Sequence, residues 1–208
     1  MKTLQRDDGR APLAVRDDID AVLADALARM AGGVGDSRSP FHRPVLGTVG
    51  LRSGAPELRT VVLRAFVPEA PELRFHTDVR SAKVADLRAN PQVGLHVYDA
   101  AAKVQMRLTG WVTLHTSGPV AEAAWAASRV SSRQCYGVEP ASGETIAAGD
   151  AYRLPELDAE DVERGRPHFC AVVVRIGSME VLHLAAGGHR RAYFDWTIDG
   201  WTKEWLAP

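Results

Sequence analysis

The stretch ELRFHTDVRSAKVADLRANPQVGLHVYDAAAKVQMRLTGWVTLH, residues 72–115, decides the fold. Glu72–Thr77 alternates, with Leu73 and Phe75 facing one way and Arg74 and His76 the other, which is the period-two pattern of a strand with one buried face. Ser81 then starts a short helical segment that runs to Ala89 and stops at Asn90-Pro91, because the residue before a proline is pushed out of helical conformation. Val93–Tyr98 reads as another strand. Val104–His115 is a longer one, setting Val104, Met106, Leu108 and Gly110 against Gln105, Arg107, Thr109 and Trp111. Most links between strands are too short for parallel crossovers, so the sheet is expected to be antiparallel.

The same signal continues on both sides. Upstream, RTVVLRAFV (59–67) is a β-rich run, Ser53-Gly54-Ala55-Pro56 a turn, and Val45–Leu51 a short apolar strand. Before these, Asp17–Ala31 places Ile19, Val22, Leu23, Ala26, Leu27 and Met30 at helical spacing, and Gly32, Gly33 and Gly35 are expected to stop that helix. Residues 1–16 read as loosely ordered. Downstream, Pro119–Arg129 is alanine-rich and helical, and residues 137–168 form a long irregular loop with a short helix near Asp158–Arg164. Strands resume at Phe169–Ile176, Met179–Leu184 and Arg191–Trp196. A last strand, Trp201–Leu206, follows the hairpin signal Asp199-Gly200. The chain is thus expected to be mainly β, a β-barrel with peripheral helices, with residues 1–40 as an N-terminal segment and 41–208 as the barrel domain.

Composition narrows the function classes. The chain has 208 residues, 46% hydrophobic and 25% charged, which is ordinary globular usage. Lys+Arg total 25 against Asp+Glu 26, so no global field draws it to nucleic acid or an anionic membrane. Cys135 and Cys170 are too few and too distant for a disulfide framework or a zinc motif. Met1–Arg10 is polar, without the apolar core of a secretory signal, and no apolar run is long enough to span a bilayer. The expectation is a cytoplasmic protein that handles a small molecule.

The common catalytic signatures are absent: there is no GxSxG elbow and no HExxH, and the 7 histidines are scattered. Gly32-Gly33-Val34-Gly35 follows a helix rather than a strand and lacks the GKS or GKT of a phosphate loop. Redox chemistry remains open, because a cofactor can carry it while the protein supplies binding, orientation and electrostatics. Arg59 and Arg64 lie five residues apart, on opposite faces of an extended strand unless a bulge intervenes. Thr77, Ser81 and Lys83 cluster at the start of the short helix, where hydroxyls, an ammonium and free N–H groups make a phosphate cradle. Gln105, on the polar face of the next long strand, can donate and accept. Singly, the arginines read equally as surface charges, Ser81 as an N-cap, Lys83 as solvated and Gln105 as a rim residue. Their order and spacing together carry the functional reading.

In that order the sequence resembles the pyridoxamine 5'-phosphate oxidase-like FMN-binding split barrels. The resemblance covers residues 43–135 and, more loosely, 169–208, through RTVVLR (59–64), LRFHTDVRSAKVADLRANPQVGLHVYD (73–99), VQMRLTGWV (104–112) and HRRAYFDWTIDGWTKEWLAP (189–208). It implies a six-stranded antiparallel split barrel of Greek-key type that binds FMN. Arg59, Thr60, Val61, Val62, Arg64, His76, Thr77, Ser81, Lys83 and Gln105 fall on its FMN-contacting positions, with Arg191 on a later one. Because the family builds its flavin site between two subunits, a homodimer is implied, and the implied activity is that of an FMN-dependent oxidoreductase.

The sequence also departs from the family. Its Ser-Arg-Lys turn is Ser81-Ala82-Lys83 here, with Arg80 as a possible replacement for the missing arginine. Arg64 stands where the vitamin B6 oxidases carry Lys, and Leu182 where they carry a tryptophan beside the flavin. Their substrate-gripping Arg-Leu-His is Gly187-Gly188-His189, which leaves His189 as the catalytic candidate. Trp125 and Arg129 match the spacing of a substrate-phosphate pair, but Arg133 replaces a Ser. The flavin site is better preserved than the substrate site, so the expected function is a related FMN oxidoreductase of unknown substrate. A true pyridoxamine/pyridoxine 5'-phosphate oxidase is the first alternative, and an assay for pyridoxal phosphate formation separates the two. The second alternative is a flavin-, haem- or deazaflavin-binding protein without turnover, marked by no reduction with nicotinamide and slow reoxidation.

Overall fold

The computed structural model describes residues 16–208. The loosely ordered segment expected at the start falls, for residues 1–15, outside them. Helix α1 (Ile19–Gly35) is capped by Asp18, whose carboxylate accepts from the N–H groups of Asp20 and Ala21 at 2.9 and 3.3 Å. The first two glycines do not stop it. The helix runs through Gly32 and Gly33 and ends at Gly35, with Asp36 as its C-cap. Packing overrides propensity here: a Cβ on Gly33 would lie 2.7 Å from the carbonyl carbon of Phe41, the buried centre of a 3-10 turn at Pro40–His42. His42 Nδ1 also sits 2.7 Å from Gly33 O. This close approach offsets the roughly 1 kcal/mol that glycine costs inside a helix.

Among the described residues nine strands form one sheet: β1 (Val45–Val49), β2 (Pro56–Thr60), β3 (Leu63–Val67), β4 (Glu72–Asp78), β5 (Gln92–Asp99), β6 (Val104–His115), β7 (Phe169–His183), β8 (Arg190–Thr197) and β9 (Gly200–Leu206). The order is β2-β1-β5-β6-β7-β4-β3, with β8 on β7 and β9 on β8, and the pairings are antiparallel. The neighbours β1/β5 and β4/β7 are the jumps of a Greek key. The sheet path begins at β2 and ends at β3, and these two strands are joined by Val61-Val62 alone. So the run 59–67, expected as one strand, is two strands that pair on opposite ends of the sheet. Val61 makes the crossing with its side chain buried and its N–H bonded to Pro44 O at 3.0 Å.

The expected strands 169–176 and 179–184 are instead one strand. β7 pairs with β6 along one edge, and on the other edge with β4 up to Arg175 and with β8 from Ser178 onward. Gly177 marks the switch as a bulge opposite Thr109 and Gly110 rather than a break. The Trp111 ring lies over it, 2.6 Å from where a Cβ would be.

Inside the sheet, Leu46, Leu63, Phe75, Met106, Val174 and Phe194 belong to one apolar cluster closed by Val22, Ala26 and Met30 of α1. Each large side chain buried there contributes about 1.5–3 kcal/mol. A smaller cluster, Trp125, Tyr136, Val162 and Phe169, forms under α3 (Gly118–Ala126) and the short helices α4 (Val130–Arg133) and α5 (Ala159–Glu163). α2 (Ala82–Ala89) follows β4. The irregular stretch 137–168 is tied at its base by a bridge between Glu139 and Arg153. Asp161 holds it further, accepting from Glu156 N at 2.8 Å and from Arg153 at 3.0 Å. Among the described residues no helix is long and apolar enough to cross a membrane.

Two imidazoles are enclosed by this fold. His183, 2% exposed at the end of β7, is held below its ordinary pKa by burial, which with Arg16 and Arg29 outweighs Asp25. His76 on β4 packs edge-on against Phe169 at 4.8 Å, and burial, with the charges of Arg74 and Arg64, pushes it down to about 3.

Two predictions concern stability. Gly33→Ala should destabilise the protein by about 1–3 kcal/mol through backbone collision. Gly32→Ala, whose Cβ would meet nothing within 4 Å, should stabilise it by about 0.5–1 kcal/mol. Thermal unfolding of the two variants should therefore move in opposite directions. The second concerns acid. His76 stays neutral when folded but takes a proton near pH 6.5 when unfolded, so the unfolded chain binds more protons between about 6.5 and about 3. Stability present above pH 6.5 is lost as the pH falls through that window. Denaturant titrations of His76→Gln should show a shallower loss between pH 6.5 and 4 than wild type; an identical slope would remove His76 from the acid limb.

Candidate functional site

Thr77, Ser81 and Lys83 converge where β4 turns into α2. Lys83 Nζ donates to Thr77 Oγ1 at 3.0 Å, and the Thr77 and Ser81 hydroxyl oxygens lie 3.4 Å apart. Both hydroxyls are buried, at 6% and 5% exposure. Ser81 occupies the N-cap position of α2 without capping it, because its hydroxyl donates to Asp78 O at 2.7 Å instead. Burial and the nearby charge of Arg59 hold the Lys83 ammonium below its usual value. Arg59 reaches this group from β2, donating to Thr48 Oγ1 at 2.5 Å and to Asp86 Oδ2 at 3.4 Å. Two cations, two buried hydroxyls and an uncapped helix start make a donor set that fits a phosphate.

Arg80, the expected stand-in for the missing arginine, is engaged by neighbours of its own. It grips Asp78 through Nε–Oδ1 at 3.0 Å and Nη2–Oδ2 at 2.6 Å, and also donates to Tyr136 O and Val138 O at 3.2 and 3.1 Å. Its guanidinium clamps the turn to the base of the 137–168 stretch.

A second cluster lies on the other side of the crossing. Arg64 is the bulged residue of β3, where the register with β4 shifts between Leu63 and Ala65, and this turns it away from Arg59. With Arg74, His76, Ser128 and Arg129 it lines a cleft of about 320 Å³ between the end of α1, β4 and α3. Among the described residues no carboxylate lines that cleft. Arg74 Nε and His76 Nε2 are buried there without a hydrogen-bond partner among the described residues. Trp125 lies in the smaller core beside it. Its indole N–H is taken by Glu163 Oε2 at 3.0 Å, and Arg133 stacks over its ring at 5.1 Å while donating to Ser128 O and Ala126 O.

Gln105 and Arg191 stand elsewhere. The cross-strand row Gln105–Leu182–Arg191 spans β6, β7 and β8, whereas Thr77 pairs with Cys170 at the opposite end of β7. Residues 170 and 182 are twelve steps apart on β7, at most about 40 Å along the strand. Arg191 is engaged by Glu180 Oε2 at 2.8 Å, and His189 is exposed nearby, its Nδ1 accepting from Ala185 N at 3.1 Å. Thr60 is exposed and Val62 half-buried beside the crossing. One chain thus brings together Arg59, Thr77, Ser81 and Lys83, and separately Arg64, His76 and Arg129, while Gln105, His189 and Arg191 lie apart from both.

Sequence reading passed over Thr48, Asp86 and Arg74. The signal for Asp86 was its place one helical turn after Lys83. Thr48 and Arg74 carried none beyond sitting on strands.

The chain is similar in sequence and in fold to known proteins. Residues 20–116 match the family model described as pyridoxamine 5'-phosphate oxidase, FMN-binding domain. The chain is 27% identical over 175 residues to pyridoxine/pyridoxamine 5'-phosphate oxidase 2 of Arabidopsis thaliana, covering 78% of this chain and 85% of that protein. A pyridoxamine 5'-phosphate oxidase-related, FMN-binding protein from Nostoc punctiforme superposes with a TM-score of 0.70 at 24% identity, over 88% of this chain and 96% of that one. PhzG from Burkholderia lata, solved with tetrahydrophenazine-1-carboxylic acid, superposes with a TM-score of 0.66 at 15% identity, over 100% of this chain and 99% of that one. Residues 20–116 thus match the FMN-binding domain of the pyridoxamine 5'-phosphate oxidase family, and the chain as a whole has the fold of the related split barrels.

Proposed function

We propose that two copies of this chain bind FMN between them and act as an oxidoreductase on a small anionic organic substrate. The observation that carries the reading is the Arg59–Thr77–Ser81–Lys83 cradle, whose two cations and two buried hydroxyls suit a phosphate. When bound, the flavin supplies two-electron redox chemistry. The chain's own residues do the rest. Arg59 and Lys83 neutralise the phosphate charge, while Thr77 and Ser81 give it fixed hydrogen bonds. The cleft of Arg64, Arg74 and Arg129 presents positive charge without a counter-carboxylate, which favours a substrate with a carboxylate or phosphate. The names of the Arabidopsis oxidase and of PhzG with its bound carboxylic acid are in keeping with such a substrate.

A second copy is supported by the separation of the cradle from the Gln105–Arg191 row, which lies at the far end of β7 from Thr77. If Gln105 and Arg191 contact the flavin, they do so from the other chain. The outer sheet face provides a surface for it: Gly47, Leu58, Gly94, Leu108 and Tyr193 line an apolar trough of about 500 Å³, and Leu58 is 71% exposed.

The first test is the absorbance of the purified protein, with the chromophore identified after denaturation. Flavin in near-stoichiometric amount is expected as FMN. Arg59→Ala combined with Lys83→Ala should weaken FMN binding at least about a hundredfold, since each removes a charge-assisted contact, and should leave the protein folded; full retention would sink the cradle. The shared site has its own test. Chains carrying Arg59→Ala and Lys83→Ala are co-expressed with chains carrying Gln105→Leu and Arg191→Leu. A site built across a twofold dimer leaves each heterodimer with one intact site and one doubly damaged, so FMN should reappear. A site contained in one chain gives no recovery in any mixture.

A further inference from the structure

Arg59 and Lys83 repel one another, yet the fold keeps them side by side. What holds Arg59 in place comes from residues outside the cradle. Asp86 is 6% exposed on α2, one turn beyond Lys83 and so on the same helix face. Burying a carboxylate costs several kcal/mol unless it is paired and hydrogen-bonded. Asp86 accepts from Leu51 N at 2.9 Å, from Thr48 Oγ1 at 3.1 Å and from Arg59 Nη2 at 3.4 Å. Thr48, 4% exposed on β1, links the two charges, because its hydroxyl donates to Asp86 and accepts from Arg59 Nη1 at 2.5 Å. Glu57 O takes a further Arg59 proton at 3.0 Å. The guanidinium is thus fixed from behind by neighbours on β1, β2 and α2.

We infer that Thr48 and Asp86 are positioning residues for phosphate recognition: they hold the Arg59 guanidinium beside Lys83 so that both cations meet the same phosphate. The inference rests on the reading of the cradle as the flavin-phosphate site. Asp86 works against the phosphate at long range by its charge and for it at short range by aiming Arg59. The geometry assigns the larger effect to aiming, because Asp86 lies behind Arg59 and its carboxylate is already matched by that residue.

The readout is the ratio of FMN to riboflavin affinity in flavin-free full-length protein, followed by flavin fluorescence, since the two ligands differ only in the phosphate. Wild type should prefer FMN strongly. Thr48→Val changes no charge and is close in shape; it should lower the ratio about tenfold with riboflavin affinity unchanged, while Thr48→Ser keeps it. Asp86→Asn should lower the ratio in the same direction. A general structural role would instead weaken both flavins alike and leave the ratio constant, overturning the inference. A ratio that rises in Asp86→Asn would also overturn it, by showing that charge outweighs aiming. A wild type that fails to prefer FMN over riboflavin would remove the cradle reading itself, and the inference with it. The valine and serine variants keep the test decisive if the asparagine variant unfolds.

Discussion

Everything in this fold depends on two residues that must join the two ends of one sheet. β2 opens the sheet path and β3 ends it, and only Val61-Val62 lies between them. The sheet must therefore curl until its edge strands stand a few ångströms apart, which is what makes it a barrel without an unbroken hydrogen-bond ladder. The crossing is held by one buried valine side chain and one bond to Pro44 O. Because the strand breaks and then bulges, Arg59 and Arg64 emerge on opposite sides of the seam. One joins the cradle and the other the arginine cleft, so the irregularity that closes the barrel also separates the two polar sites.

Charge is handled differently in those sites. Around the cradle every buried acid has a partner: Asp86 with Arg59, Asp78 with Arg80. Pairing of this kind adds little net stability but makes geometry definite. In the cleft Arg64, Arg74 and Arg129 have no ion-pair partner among the described residues, and two buried nitrogens there are left unbonded. Unsatisfied buried donors cost about 1–3 kcal/mol each. Strain of that kind is expected where a ligand supplies the missing partner.

Much of the architecture was legible because it is written in local pattern. β6 runs over Val104–His115 as the alternation predicts, and α2, β4 and β5 fall within two residues of expectation. The misreadings share a cause. Gly33 looked like a stop signal, but it is a contact point for Phe41. Gly177 fell in the gap between two expected strands, but it is a bulge under Trp111 within one strand. In each case a residue 8 or more positions away sets the role of the glycine, and local propensity carries no trace of it. The site shows the same limit: Thr77, Ser81 and Lys83 are close in sequence and were found, whereas Thr48 and Asp86 act through partners 11 to 38 residues distant.

The seam and the 137–168 stretch set opposite limits on how the chain length can vary among descendants of this sequence. One residue inserted between Thr60 and Leu63 would shift the pleat of β3 by a half-period and turn Leu63 and its neighbours inside out. The stretch between Glu139 and Arg153 is closed at its base by a bridge, and lengthening such a loop costs only a fraction of a kcal/mol per few residues. Insertions and deletions should therefore accumulate in the second region and be purged from the first. Variation in length is then confined to the stretch whose base Arg80 ties to the cradle turn, while the seam keeps a fixed count of residues.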